Sequence, residues 1–251
     1  MKDEEPSRYE EFNYDSIAEA YAAAVDTAPY NALYERPAML ALLPTLDGAR
    51  ILDAGCGSGW YTEQLLHRGA IVTSIDASHL MADYARERIG RLAGELGSRS
   101  ESIRVADLSK PLDFLDSATF DGILSPLVLH YLENWRTPLR EVRRVLKPNG
   151  WLLFSTHHPA TEAARFDVTN YFEIERLEDE WPCAAKVQFY RRPLTEIFGS
   201  LADAGFVVER VVEPTPGDEF KRLDSEAYYR LLREPAFLIV LARPRLEPGG
   251  R

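Results

Sequence analysis

The feature that most constrains this chain is a short apolar run that dissolves into closely spaced glycines: Ile51-Leu52-Asp53-Ala54-Gly55-Cys56-Gly57-Ser58-Gly59. It reads as a strand, a tight turn and the start of a helix near Trp60. Glycines at such a turn adopt positive φ at little steric cost and let the backbone approach a ligand closely. The N–H groups of the following helix's first turn are open to an anion. Two details separate this turn from a dinucleotide-binding one. The glycines are spaced G-x-G-x-G rather than G-x-G-x-x-G, and the last position of the dinucleotide pattern holds the bulky Trp60. Asp53, two residues before Gly55, would repel a pyrophosphate and suits a ligand carrying positive charge. A G-x-x-x-x-G-K-[ST] phosphate loop does not occur.

Beyond residue 50 the sequence alternates between strand-like and helix-like segments, the mark of βαβ units and a parallel sheet. Strands are predicted at 50–54, 71–76, 102–107, 120–125, 151–157, 206–212 and 236–242. Ser78 reads as the N-cap of a helix carrying Leu80, Met81, Tyr84 and Ala85. Thr137-Pro138 reads as a cap followed by proline at the first helical position, and Pro148-Asn149-Gly150 as that helix's end. Leu194, Ile197, Phe198 and Leu201 make a helix face that stops at Gly205, and 225–233 reads as helical. At the N-terminal side, Ser16-Ile17-Ala18-Glu19 is a capping-box pattern leading into Ala20, Tyr21 and Ala24 at helical spacing, with a second short helix over 36–43. Residues 158–192 break the rhythm. They read as an insertion built on a strand pair, with Glu178-Asp179-Glu180 as a solvated turn.

Asp76 ends the second strand, 23 residues after Asp53, where a carboxylate accepts hydrogen bonds from ribose hydroxyls. Asp107 ends the third and can accept from an adenine amino group. Successive strand ends of an open parallel sheet face one ligand crevice.

With these motifs in place, the sequence resembles the class I S-adenosylmethionine-dependent methyltransferases, of the small-molecule type, over roughly residues 14–243. Residues 51–59 look like that family's first motif, and Asp76-Ala77-Ser78 like the acidic end of its second strand. Ala106-Asp107-Leu108 looks like the adenine-side motif. Residues 120–125 with Leu129-His130-Tyr131-Leu132 look like the fourth-strand motif. Residues 144–151 look like the post-helix motif, with Asn149 where glycine is commoner.

The resemblance implies an α/β, Rossmann-like fold with a seven-stranded, mostly parallel sheet of order 3-2-1-4-5-7-6 and helices on both faces. It implies one methyltransferase domain: an N-terminal helical cap (14–44), a cofactor-binding half (50–157), an insertion or lid (158–192) and a C-terminal half (193–243). The implied cofactor is S-adenosylmethionine, with S-adenosylhomocysteine as product. Its implied contacts are Tyr14, Tyr21, Asp53, Gly55, Cys56, Gly57, Gly59, Asp76, Ala77, Met81, Asp107, Leu108, Ser125 and Leu127. Asp76 would hold the ribose, Asp107 and Leu108 the adenine, and Ser125 and Leu127 the methionine moiety, while Tyr14 and Tyr21 close over it. Cys56 reads as a small buried residue rather than a nucleophile.

Methyl transfer from a sulfonium is an in-line displacement and needs no metal; alignment and water exclusion do most of the work. Among the five histidines, His157 and His158 follow the fifth strand, where an acceptor is expected. They are the candidate proton-handling groups, His158 first, with Tyr21 as a hydrogen-bonding partner. His130, Tyr171, Trp181 and Tyr190 are the candidate acceptor contacts. Lys plus Arg number 29 against 40 Asp plus Glu, a net charge of −11. That balance disfavours nucleic acid and anionic membrane as partners. Two cysteines, no 18-residue apolar run and a polar start lead to the expectation of a cytoplasmic protein; with the resemblance, the expectation is a monomer or homodimer acting on a small, apolar or aromatic metabolite. The alternatives are a tRNA or protein methyltransferase, a non-catalytic cofactor-binding regulator, and a nicotinamide-dependent dehydrogenase, which Trp60 and Asp53 oppose.

Overall fold

The computed structural model describes residues 18–92, 94, 100–180 and 186–245. The strands are β1 (Arg50–Ala54), β2 (Ile71–Asp76), β3 (Ser100–Val105), β4 (Phe120–Pro126), β5 (Leu146–His157), β6 (Glu175–Glu180), β7 (Lys186–Arg191), β8 (Phe206–Val212) and β9 (Phe237–Pro244). Seven of them form one sheet in the order β3-β2-β1-β4-β5-β9-β8. Pairings from β3 across to β5 are parallel, and β9 runs antiparallel to both β5 and β8. With β6 and β7 set aside as a separate hairpin, this is the order 3-2-1-4-5-7-6 that the resemblance implies.

The apolar runs are continuous because both faces of the sheet are covered. Period-two alternation then sorts neighbours to opposite cores. Leu52, Leu152, Phe154, Leu238 and Val240 join one core with Leu139, Val142, Ile197 and Leu201. Ile51, Leu153, Ile239 and Leu241 join the other with Tyr61, Leu65, Leu66 and Ile89. The helices behind these side chains are α3 (Trp60–His67) and α4 (His79–Arg91) on one face, and α5 (Arg136–Val145) and α7 (Leu194–Asp203) on the other. Ser78 caps α4, its hydroxyl accepting from the Met81 N–H at 3.1 Å.

Several local readings are corrected. Helix α5 begins at Arg136, not after Thr137, because the Asn134 side chain accepts from the Arg136 N–H at 2.8 Å. Pro148-Asn149-Gly150 lies within β5, which starts directly after α5 and pairs Leu146 with Phe120. A register irregularity between Phe120 and Gly122 absorbs the extra residues. Glu178, Asp179 and Glu180 are not a turn. They lie in β6, paired with Gln188, Val187 and Lys186, and Arg165 binds Asp179 at 2.7 Å. Within 158–192 this hairpin follows helix α6 (Pro159–Arg165).

The N-terminal region contains α1 (Ala18–Ala24) and then a π-helical segment, Asn31–Glu35, running straight into α2 (Arg36–Leu40). Ser16 and Ile17 of the expected capping box lie outside the described residues. Tyr30 and Tyr34 pack edge-on against Phe220 of α8 (Asp218–Leu223), a helix the sequence pattern does not announce. With Phe237, and with Ala227 and Leu231 of α9 (Ser225–Leu231), Tyr34 and Phe220 make a third apolar cluster that ties the N-terminal segment to the C-terminal half.

Candidate active site

The site is assembled around the turn that joins β1 to α3. Gly55, Gly57 and Gly59 have φ of 87°, 52° and 84°. The N–H groups of Gly55 and Cys56 both donate to the Ile75 carbonyl, at 2.8 and 2.9 Å, which pins the turn to the end of β2. Asp76 braces it from the same side. One carboxylate oxygen accepts from the Gly57 N–H at 2.7 Å and the other from the Ser78 N–H at 2.9 Å. The glycines differ in purpose. A Cβ on Gly55 would stand 2.2 Å from Val128, and one on Gly59 3.0 Å from Ala85, so both positions are sterically filled. A Cβ on Gly57 would meet nothing within 4 Å, since Gly57 opens onto the cleft.

That cleft is a small space of about 60 Å³, partly open to solvent. Besides the turn it is lined by Tyr21 of α1, Glu35 and Arg36, Trp60 and Tyr61, and Leu127 after β4. Glu35 is buried and accepts from the Tyr61 hydroxyl at 2.7 Å and the Ser155 hydroxyl at 2.6 Å. Burial pushes its carboxyl up from the ordinary carboxylate range, and the two hydroxyls oppose that push. The Arg36 guanidinium lies 4.0 Å over the Trp60 ring and donates to Asp26 at 3.3 Å. Leu127 holds φ of 53°, a strained value for a non-glycine residue, while its N–H donates to Ser155 Oγ at 3.0 Å. A zwitterion therefore meets an adjacent carboxyl and guanidinium here, beside an open glycine and an acidic strand end. The donor set fits S-adenosylmethionine.

Of the residues singled out from sequence, Tyr21, Gly55, Cys56, Gly57 and Leu127 line the cleft. The Cys56 thiol is buried and held well above its usual pKa by burial, as suits an inert side chain. Gly59 caps α3, Met81 is buried in α4 and Ala77 is exposed beside Asp76. Asp107 accepts from the N–H and hydroxyl of Ser109 at 2.8 and 2.7 Å, next to the buried Leu108. Ser125 ties β4 to β1 by donating to the Ala54 carbonyl at 2.9 Å. Asp53 does not line the cleft. It is fully buried, takes a 2.6 Å hydrogen bond from Thr62, and burial raises its pKa to about 7. Tyr14 and Trp181 lie outside the described residues.

His157 and His158 do not line this cleft. The His158 ring, 6% exposed, meets Glu213 at 2.9 Å. His157 stacks on His130 at 4.1 Å between ring centroids, and both line a second cavity with Tyr190, Glu162, Arg191 and Arg192. Tyr171 sits behind Arg191, its carbonyl accepting from that guanidinium at 2.9 Å. Sequence reasoning missed Glu35, Arg36 and Tyr61. The separations of 26 and 120 residues in the Glu35 bonds leave no local signal for them.

A methyltransferase-domain family model matches residues 52–154. An uncharacterised protein of Haemophilus influenzae is 31% identical over 229 residues, covering 85% of this chain and 88% of the relative. A malonyl-[acyl-carrier protein] O-methyltransferase of Erwinia pyrifoliae is 33% identical over 147 residues, but the match spans only 52% of it. The solved structure of an S-adenosylmethionine-dependent methyltransferase from Mesorhizobium loti is 29% identical, covers 88% of this chain and 100% of its own, and superposes with a TM-score of 0.66. The strand order β3-β2-β1-β4-β5-β9-β8 is the class I pattern, and the chain belongs to the class I S-adenosylmethionine-dependent methyltransferases.

Proposed function

We propose that this enzyme methylates a small, apolar or aromatic metabolite at O, N or C. The observation that carries this reading is the cleft itself: a small space walled by Tyr21, Trp60, Tyr61 and Leu127, mostly aromatic and apolar side chains. The net charge of −11 supports a small molecule over a nucleic-acid acceptor. The relative named as an O-methyltransferase supports oxygen as the receiving atom.

When bound, S-adenosylmethionine supplies an electrophilic methyl group and its own leaving group. The chain's residues hold and shield the reactants. Asp76 takes the ribose hydroxyls, and Asp107 with Leu108 the adenine. Glu35 takes the methionine ammonium and Arg36 its carboxylate, while Gly57 leaves room for both. Tyr21, on the helix over the cleft, orients the acceptor's hydroxyl or amine. Holding reactants in line at about 3–3.5 Å while excluding water is worth up to roughly 7–11 kcal/mol, enough for an acceptor that ionises easily to need no strong base.

The test is product formation. Purified protein with methyl-labelled S-adenosylmethionine is offered a panel of phenols, carboxylic acids, alcohols and amines, and separately total tRNA and cell protein. Labelled small-molecule product with release of S-adenosylhomocysteine is expected. Label confined to tRNA or protein overturns the reading.

A further inference from the structure

The cleft beside the glycine turn, at about 60 Å³, is small for what it has to receive. One water's share of the liquid is about 30 Å³, whereas pockets that hold small ligands run to about 300–1,000 Å³. The methionine end of the cofactor enters that space only if one of its walls moves.

Most of the walls are fixed. Gly55, Cys56 and Gly57 are bonded to the end of β2. Glu35 and Tyr61 are buried and bonded to each other, and Leu127 is tied to Ser155. Tyr34, next to Glu35, is packed on Phe220. The wall that carries Tyr21 is different. Of the seven residues of α1, Ala18 alone is buried, and the next buried side chain is Val25, just past its end. A turn over 25–27 separates α1 from the π-helical segment Asn31–Glu35, so α1 can swing while Tyr34 and Glu35 stay in place.

Charge holds α1 down. Asp26, directly after Val25, is gripped from two sides. From α2, Arg36 donates to the Asp26 carbonyl at 3.2 Å and to its carboxylate at 3.3 Å. From α4, Arg88 binds the other carboxylate oxygen. Arg88 also meets Glu63 of α3 at 3.5 Å, and its remaining terminal nitrogen is buried with no partner among the described residues. The Asp26 and Arg88 side chains are 31% and 19% exposed, so water screens the pair only in part. Neither residue lines the cleft. One carboxylate thus joins the end of α1 to α2 and α4, and the same carboxylate steadies the Arg36 guanidinium over the Trp60 ring.

We propose that Asp26 is the latch of a lid. Helix α1 swings away to admit S-adenosylmethionine and to release S-adenosylhomocysteine, and the Asp26 pairs with Arg36 and Arg88 hold it shut in between. Asp26 is a positioning residue and touches neither reactant. The proposal rests on the cofactor and is independent of which acceptor is methylated.

Association and dissociation of S-adenosylhomocysteine are followed by stopped flow, with Trp60 in the cleft wall as the fluorescent reporter, in the parent protein, Asp26→Asn and Arg88→Gln. A lid that is mostly shut slows both entry and escape, because only the open fraction exchanges ligand. Both variants are expected to accelerate both rates, by about tenfold for Asp26→Asn. Equilibrium affinity should change less than either rate. Faster dissociation with unchanged association would make Asp26 a support for Arg36 and not a latch, which overturns the proposal. Unchanged rates in Asp26→Asn, or an accelerated Asp26→Asn beside an unchanged Arg88→Gln, overturn it as well. Should Asp26→Asn fail to fold, Arg88→Gln decides by the same two rates.

Discussion

At the scale of single residues, Asp53 shows how burial turns a motif residue into a pH-sensitive one. Its carboxyl is fully buried, with one oxygen on Thr62, which in turn meets Ser74 at 2.9 Å, and folding raises its pKa from 3.8 to about 7. A raised acid binds its proton more tightly folded than unfolded. Its stabilising contribution is therefore complete below about pH 4 and is lost as pH rises toward about 7, a change on the order of a few kcal/mol. Glu162 acts in the same direction and His157 in the opposite one, so the comparison that isolates Asp53 is between the parent and Asp53→Asn. Urea unfolding across pH 4–8 should show a flatter profile for the variant and a gain in relative stability above pH 7. Parallel profiles would remove Asp53 from the pH response. His158 makes the second residue-level case. Its partner Glu213 has a side chain 57% exposed, so the pair contributes little, about 0–1 kcal/mol. His158→Ala should keep turnover within about tenfold of the parent, whereas loss of a general base would cost about 10²–10⁴. A drop in that larger range, with cofactor affinity intact, would return His158 to the chemistry.

At the scale of elements, the β1–α3 turn divides its glycines between packing and binding. Gly55→Ala drives a methyl into Val128 at a position with φ of 87°. Overpacking alone should cost about 1–3 kcal/mol, read as a fall in the unfolding midpoint. Gly57→Ala meets no protein atom and pays chiefly for its φ of 52°, about 1 kcal/mol. Its methyl enters the cleft, so S-adenosylhomocysteine affinity should fall about tenfold or more while the midpoint hardly moves. If the two variants lose stability equally and bind equally well, the division is wrong. The same turn explains why Asp76 sits where it does: its carboxylate holds the Gly57 and Ser78 N–H groups in place.

At the scale of the whole molecule, the cofactor cleft is closed by residues from the N-terminal segment, and that segment is held by the far end of the chain. Tyr30 and Tyr34 pack on Phe220, at 5.6 and 6.3 Å between ring centroids, and Tyr34 directly precedes Glu35. Phe220 is fully buried and does not line the cleft. Phe220→Ala should cost about 3–5 kcal/mol of stability. It should also weaken S-adenosylhomocysteine binding at temperatures where the protein remains folded, through displacement of Glu35 and Arg36, with partial rescue by Phe220→Leu. Unchanged cofactor affinity would show that the N-terminal segment is positioned without this cluster.

What the amino-acid sequence determined by itself is the part of the protein written in short periods. The glycine spacing after β1, the acidic Asp76 at the end of β2 and Asp107 two residues past the end of β3, and the apolar runs of a sheet covered on both faces are all local patterns. They carried the resemblance to the family, and that resemblance implied the strand order and the cofactor. Phe206–Val212 falls where the pattern puts it for the same reason. The limits of locality appear at Asn134, which starts α5 by a side-chain bond in place of the Thr137-Pro138 signal, and at β5, where pairing with β4 carries the chain through a proline and a glycine. Only the tertiary structure decided which polar residues share a space. It joined Glu35 to Tyr61 and Ser155, and it stacked His157 on His130. Such contacts join residues tens of positions apart, in a low-dielectric interior where partnership and not residue type sets charge and reactivity. No local pattern encodes that.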